Sequence, residues 1–196
     1  MSDGIQLYPF SDGSIKPCEG WTAPRGNGLN EVLEKAFGGL AGEWFEYEKT
    51  DGTIKTVRLR DKNESFLVHY VARAVSGGGR SKDRPNELRI QTDPADANAL
   101  AQINAEGGSA FLIGVYRNGD AEALAVWRPL GTTKAKGSIS KQIACETVAK
   151  ALTNGIAKET YPGGETTVFA IKPELFRGLI SITDESELPR GILRRN

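Results

Sequence analysis

The side chains able to do covalent or metal chemistry are few. His69 is the only histidine, and Cys18 and Cys145 stand far apart with no CxxC spacing, too few soft ligands for a structural zinc site. The chain contains no GxSxG elbow, no GxxxxGK[ST] phosphate loop and no GxGxxG following a strand. A nucleophile-histidine site would have to be built on His69. That residue sits inside Ser65–Val75 (SFLVHYVARAV), the most apolar stretch of the chain, where a packed ring with a hydrogen-bond partner is expected. The remaining enzymatic arrangement is magnesium-dependent phosphodiester cleavage, in which carboxylates on adjacent strands hold the metal and a lysine neutralises developing charge. Glu87-Leu88-Arg89 has a similar alternation but carries arginine in the lysine position, and arginine, effectively always protonated, is a poor proton-transfer group. No catalytic residue and no metal ligand is assigned, and a nuclease domain using Glu87 and neighbouring carboxylates is the alternative reading.

The basic and amide side chains are more informative. Between Gly77 and Gln91 (GGGRSKDRPNELRIQ), Arg80, Lys82, Arg84, Asn86, Arg89 and Gln91 lie on a glycine-led loop running into a strand. Arginine can donate two parallel hydrogen bonds to guanine, asparagine and glutamine can pair with adenine, and lysine holds phosphates. A second polar segment, Ser11–Asn30, carries Lys16, Trp21, Arg25 and Asn27 among glycines and prolines, and exceeds the usual length of a connection. A third, Arg128–Lys141 (RPLGTTKAKGSISK), holds Arg128, Lys134, Lys136 and Lys141 with no acidic residue. These residues divide into base-contact candidates (Arg25, Asn27, Arg80, Arg84, Asn86, Arg89, Gln91) and phosphate-contact candidates (Lys16, Lys82, Lys134, Lys136). For each segment the plainer alternative is a solvated loop whose charges keep an edge soluble. Trp21 reads as a packing anchor for its loop. With 25 basic and 25 acidic residues the chain has no formal net charge, which excludes bulk electrostatic binding of the histone kind and confines any basic surface to local patches.

The elements that must position these residues are mainly strands. Glu43–Lys49 and Thr53–Arg60 flank Asp51-Gly52, a hairpin signal, and Ala110–Arg117 and Glu122–Trp127 flank Asn118-Gly119. Ser65–Val75, Asn86–Gln91 and Thr166–Ile171 add further strands. Helices are expected at Asn30–Phe37, with Asn30 as cap, at Asp96–Ala105 and at Ser140–Leu152. The pattern predicts a mainly β (α+β) antiparallel architecture with about three short helices, favouring a barrel or pseudobarrel. One domain over residues 1–182 is expected, with 183–196 a polar edge or linker. No apolar run approaches the length of a membrane span, so a cytoplasmic chain with reduced thiols is the expectation.

In order along the chain, VLEKAF (Val32–Phe37), FLVHY (Phe66–Tyr70), RPNELRIQ (Arg84–Gln91) and AFLIGVYRNGDAEALAVW (Ala110–Trp127) resemble the DNA-binding effector domain of EcoRII-type restriction endonucleases, of the plant B-three-like superfamily. The likeness covers roughly residues 10 to 130 and no single motif in it is diagnostic. It implies a seven-stranded antiparallel pseudobarrel with two loop arms, Ser11–Asn30 and Ser76–Gln91 extended by Thr92–Ala97, that grip the major groove of double-stranded DNA at a short specific site. It also implies a recognition module that is non-catalytic by itself and needs no cofactor. A nuclease domain beyond the C-terminal edge would then do the cutting and use Mg2+. The proline-rich first arm and the basic stretch Lys134–Lys141 depart from the family pattern.

Overall fold

The computed structural model describes residues 5–39, 43–48, 52–60, 64–77, 84–134, 136–161 and 167–180. Arg80 and Lys82, Asp51 of the first turn, and the expected linker 183–196 lie outside the described residues. Twelve strands and four helices follow in the order β1 (Leu7–Pro9), β2 (Ile15–Pro17), α1 (Asn27–Gly38), β3 (Trp44–Glu48), β4 (Lys55–Arg60), β5 (Ser65–Ala74), β6 (Ser76–Gly77), β7 (Glu87–Thr92), α2 (Pro94–Ala105), β8 (Ser109–Asn118), β9 (Ala121–Trp127), β10 (Ile139–Ala144), α3 (Cys145–Asn154), β11 (Ile156–Thr160), β12 (Thr167–Ile171) and α4 (Phe176–Ile180). Among the described residues no helix is long and apolar enough to cross a membrane.

Seven strands form one sheet in the order β11-β12-β9-β8-β5-β4-β3, β10-β7-β6 form a second, and β1-β2 form a small ribbon. The large sheet is open and mixed, because β5 and β8 pair in parallel while its other pairs are antiparallel. This agrees with the expected mainly β class and corrects the expectation that the strands pair antiparallel throughout. The cause is the crossover: after Ala74 the chain leaves the sheet through β6, β7 and α2 and re-enters at Ser109 beside Val68, so β8 must run in the same direction as β5.

Both faces of the central strands are covered, which is why Ala110–Tyr116 reads as a continuous buried run without polar alternation. Phe111, Ile113 and Val115 point to one face, where they pack with Val32, Leu33, Ala36 and Phe37 of α1 and with Phe176 and Leu179 of α4. Leu112 and Tyr116 point to the other, against Leu88 and Ile90 of β7, Leu100 of α2 and Val148 and Leu152 of α3. Gly114 of β8 faces Ile90 of β7 across the contact between the two sheets. A Cβ there would stand 2.9 Å from Val75, 3.0 Å from Ile90 and 3.3 Å from Trp127.

The expected hairpins form at β3-β4 and β8-β9. In the second, Asn118 pairs with Ala121, so the turn is Gly119-Asp120, with glycine at φ +62°. Helix α2 starts earlier than expected because Asp93 accepts from the Ala95 amide at 2.8 Å ahead of Pro94. Helix α1 also starts earlier, at Asn27, which leaves Asn30 inside the first turn and not capping it. The expected helix Ser140–Leu152 is a strand followed by a helix. Ile139, Lys141 and Ile143 alternate against β7, and the helix begins only at Cys145. There the Glu159 carboxylate accepts from the Ala144 amide at 3.0 Å and the Thr147 hydroxyl at 2.8 Å. Helix α4 and strand β11 have no counterpart in the sequence expectation.

Candidate nucleic-acid interface

The three-stranded sheet positions most of the sequence-predicted residues. Along β7, Leu88, Ile90 and Thr92 are buried toward the large sheet, and the period of two turns Glu87, Arg89 and Gln91 to the other side. In the antiparallel register Gln142 of β10 and Ser76 of β6 flank Arg89, and Ser140 stands opposite Gln91. The outward face therefore presents a guanidinium, two amides and hydroxyls in two rows. Glu87 is the acidic member of this face, and it pairs with Arg84 at 3.2 Å.

Arg84 and Asn86, both exposed, stand at the start of β7, where the Asn86 carbonyl accepts from the Cys145 amide at 2.7 Å and fixes the segment to the start of α3. At the other end of the strand Gln91 donates to the Ser138 hydroxyl at 3.4 Å, and the Lys134 ammonium donates to the Ser138 carbonyl. Lys134 and Lys136 are exposed beside that end. Arg84 and the lysines thus bracket a strand about 20 Å long. Lys141 lies on the inward row of β10 opposite Ile90, half-buried, and burial lowers its pKa.

The arginines of this protein divide sharply by partner. Arg58 pairs with Glu48 at 2.6 Å, Arg60 with Glu46 at 3.2 Å, Arg73 with Asp96 at 3.1 Å and Arg117 with Glu31 at 2.6 Å. Arg177 is buried and donates to the carbonyls of Phe37, Trp44 and Arg60. Arg89 is half-buried, its Nε is enclosed, and its side chain has no hydrogen bond or ion pair among the described residues, while its carbonyl accepts from the Ser76 hydroxyl at 3.3 Å. Its neighbour Gln142 is likewise half-buried and has no side-chain partner among them.

The first polar segment is anchored to the body. Trp21 donates to the Arg117 carbonyl at 2.9 Å, lies 4.4 Å from the Tyr8 ring and stacks at 6.0 Å on Tyr116, as its packing role requires. The Tyr116 hydroxyl donates to the Pro9 carbonyl at 2.6 Å. Strand β1 joins the bases of the two expected arms: Leu7 is in register with Pro17, and its amide donates to the Pro85 carbonyl at 3.0 Å. Lys16, exposed over the Phe10 ring at 4.4 Å, lies next to this junction. Arg25 and Asn27 do not join it. Both are exposed at the start of α1, which packs on the opposite face of the large sheet from β7. His69 is half-buried and hydrogen-bonds Thr56 at 3.0 Å across the β4-β5 pair, as expected.

Gln142, Ser140 and Ser76 were not among the predicted site residues. The signal for the first two is the alternation Ile-Ser-Lys-Gln-Ile in residues 139–143, which fits a strand as well as a helix. Among the described residues no group of three His, Cys, Asp or Glu side chains is close enough to hold a metal ion.

Searches of curated proteins and of solved structures give no match to this chain. A family model does match, across residues 66–180, which include β6 to β12 and hence all three strands of the outward polar sheet. That span is more than half of the chain, and the protein belongs to the methylase-associated X1 family.

Proposed function

We propose that this chain is a sequence-specific double-stranded DNA-binding module, non-catalytic by itself, that serves a restriction-modification system. The observation that carries the reading is the collection of Arg84, Asn86, Arg89 and Gln91 along one strand, bordered by Lys134 and Lys136, with the face's carboxylate neutralised by Arg84. Such a face offers base-edge donors in the middle and phosphate contacts at the ends without any net charge on the molecule. The family's description as methylase-associated supports the restriction-modification setting, and the pattern likeness to EcoRII-type effector domains supports recognition as the role within it. In this reading Arg80 and Lys82 extend the second arm and Lys16 touches the backbone near the β1 junction. Arg25 and Asn27 contact DNA only where the duplex reaches around to the start of α1. The module acts in the cytoplasm, and Mg2+ belongs to a nuclease domain when one is attached.

Glu87, which the nuclease reading requires as a metal ligand, is engaged by Arg84. Fluorescence anisotropy against a randomised duplex pool, followed by sequencing of the retained fraction, tests the proposal. Recovery of a short motif at moderate salt is expected. Failure to retain any sequence, or plasmid cleavage in magnesium that Glu87→Ala abolishes, would overturn it.

A further inference from the structure

Resting on the DNA-binding reading, we infer that bases are read by the sheet face, through Arg89 together with Gln142. Two features converge on this. Arg89 and Gln142 are directly opposite across β7 and β10 and project to the same side. Both are half-buried with unspent side-chain hydrogen-bonding capacity among the described residues, and Arg89 lacks the carboxylate partner that each of Arg58, Arg60, Arg73 and Arg117 has. An arginine held in place by neighbouring strands but without a partner is preorganised for an external acceptor.

Dimensions fit a B-form duplex. Three strands at about 4.8 Å spacing are about 10 Å wide, within a major groove about 12 Å across. Arg89 and Gln91, two residues apart on one strand, are separated by about 6.8 Å, close to two base-pair steps of about 3.4 Å. The deep, narrow major groove of an RNA duplex does not admit such a sheet. The chemistry assigns guanine to Arg89, whose planar fork matches O6 and N7, and adenine to a glutamine. Gln142 shares the base pair of Arg89 or an adjacent one, and Gln91 reads further along.

The test compares motifs selected from the same randomised pool by the wild-type chain and by Arg89→Lys, Gln142→Ala, Gln91→Ala and Arg25→Ala, each checked by circular dichroism for an unchanged fold. Arg89→Lys keeps the charge and removes the fork. It should hold affinity for non-specific duplex within about twofold and reduce guanine preference at one position by about fivefold or more. Gln142→Ala should relax the same or the neighbouring position, Gln91→Ala a more distant one, and Arg25→Ala none. An RNA duplex should not compete. A motif unchanged in Arg89→Lys and Gln142→Ala, a motif altered by Arg25→Ala instead, or equal competition by RNA would overturn the sheet assignment while leaving DNA binding standing. Absence of any duplex binding by the wild-type chain would overturn both.

Discussion

Arg177 shows how a single side chain can organise distant segments. It is 4% exposed, donates to the carbonyls of Phe37, Trp44 and Arg60, and lies 3.7 Å from the Glu43 carboxylate, so one guanidinium ties the end of α1 to both strands of the first hairpin. Replacing it with methionine keeps volume but strands a carboxylate and three carbonyls. Arg177→Met should cost about 3 to 5 kcal/mol in denaturant unfolding, and a loss below about 1 kcal/mol would contradict this role. The two thiols differ in the same local way. Cys145 is buried, donates to the Leu7 carbonyl at 3.3 Å, and burial pushes its pKa up to about 12. Cys18 is half-buried and 3.6 Å from the Asn118 side-chain oxygen. An aromatic disulfide reagent at pH 8 should therefore label Cys18 and spare Cys145 in the folded protein, whereas equal labelling would show that β1 does not seal the second thiol. At this scale the residue types needed for base reading were legible along β7, because its alternation separates Leu88 and Ile90 from Arg89 and Gln91. Their competitors for partners were not legible. Arg177 lies among apolar residues after Pro173 and looks like a helix-end charge until three chain segments meet around it.

At the level of elements, the outward sheet is held in place by its contact with the large one at Gly114. The distances there leave no room for a methyl group, since Val75, Ile90 and Trp127 are all buried in the packed core. Gly114→Ala should destabilise by about 1 to 3 kcal/mol and weaken duplex binding in proportion to the displacement of β7. A fully stable variant with normal binding would show that the two sheets are less tightly joined than the contact implies. Hairpins were legible because their turns carry their own chemistry, as Gly52 and Gly119 at positive φ attest. The segment 139–144 was not, because Ile139 and Ile143 satisfy the spacing of four residues as readily as the alternation of two. Only the vacant edge of β7, a tertiary feature, selects the strand. The parallel β5-β8 pair was hidden for a related reason, since nothing local in either strand records the direction of its neighbour. The expectation of a barrel or pseudobarrel from the strand pattern rests on strand content, which the molecule has, and strand content does not determine whether a sheet closes.

For the molecule as a whole, the distribution of buried ionisable groups predicts how it fails in alkali. The Cys145 thiol has an ordinary pKa of 9.0 and is raised to about 12 in the fold, and burial also raises Tyr70, Tyr116 and Tyr161. Unfolded chains lose these protons first, so these four groups should contribute constantly below about pH 9 and lower stability between about pH 9 and 12 by at most about 1.4 kcal/mol per pH unit each, offset in part by Lys141, whose lowered pKa acts in the opposite sense. Midpoints of urea unfolding across that range would check it, and rising stability with pH would contradict the sign. Zero formal charge combined with a local basic border further predicts a shallow salt dependence of binding, in which Lys134→Ala lowers the slope by about one unit for every sequence alike. An unchanged slope would remove Lys134 from the border. Most direct for the central claim is a titration of isotope-labelled protein with a short selected duplex, followed by amide chemical shifts. The account predicts that the largest changes fall on β7 and β10, with smaller ones at Arg84, Asn86 and Lys134. Changes concentrated on the edge strand β3, on α1, or on no contiguous surface would contradict it.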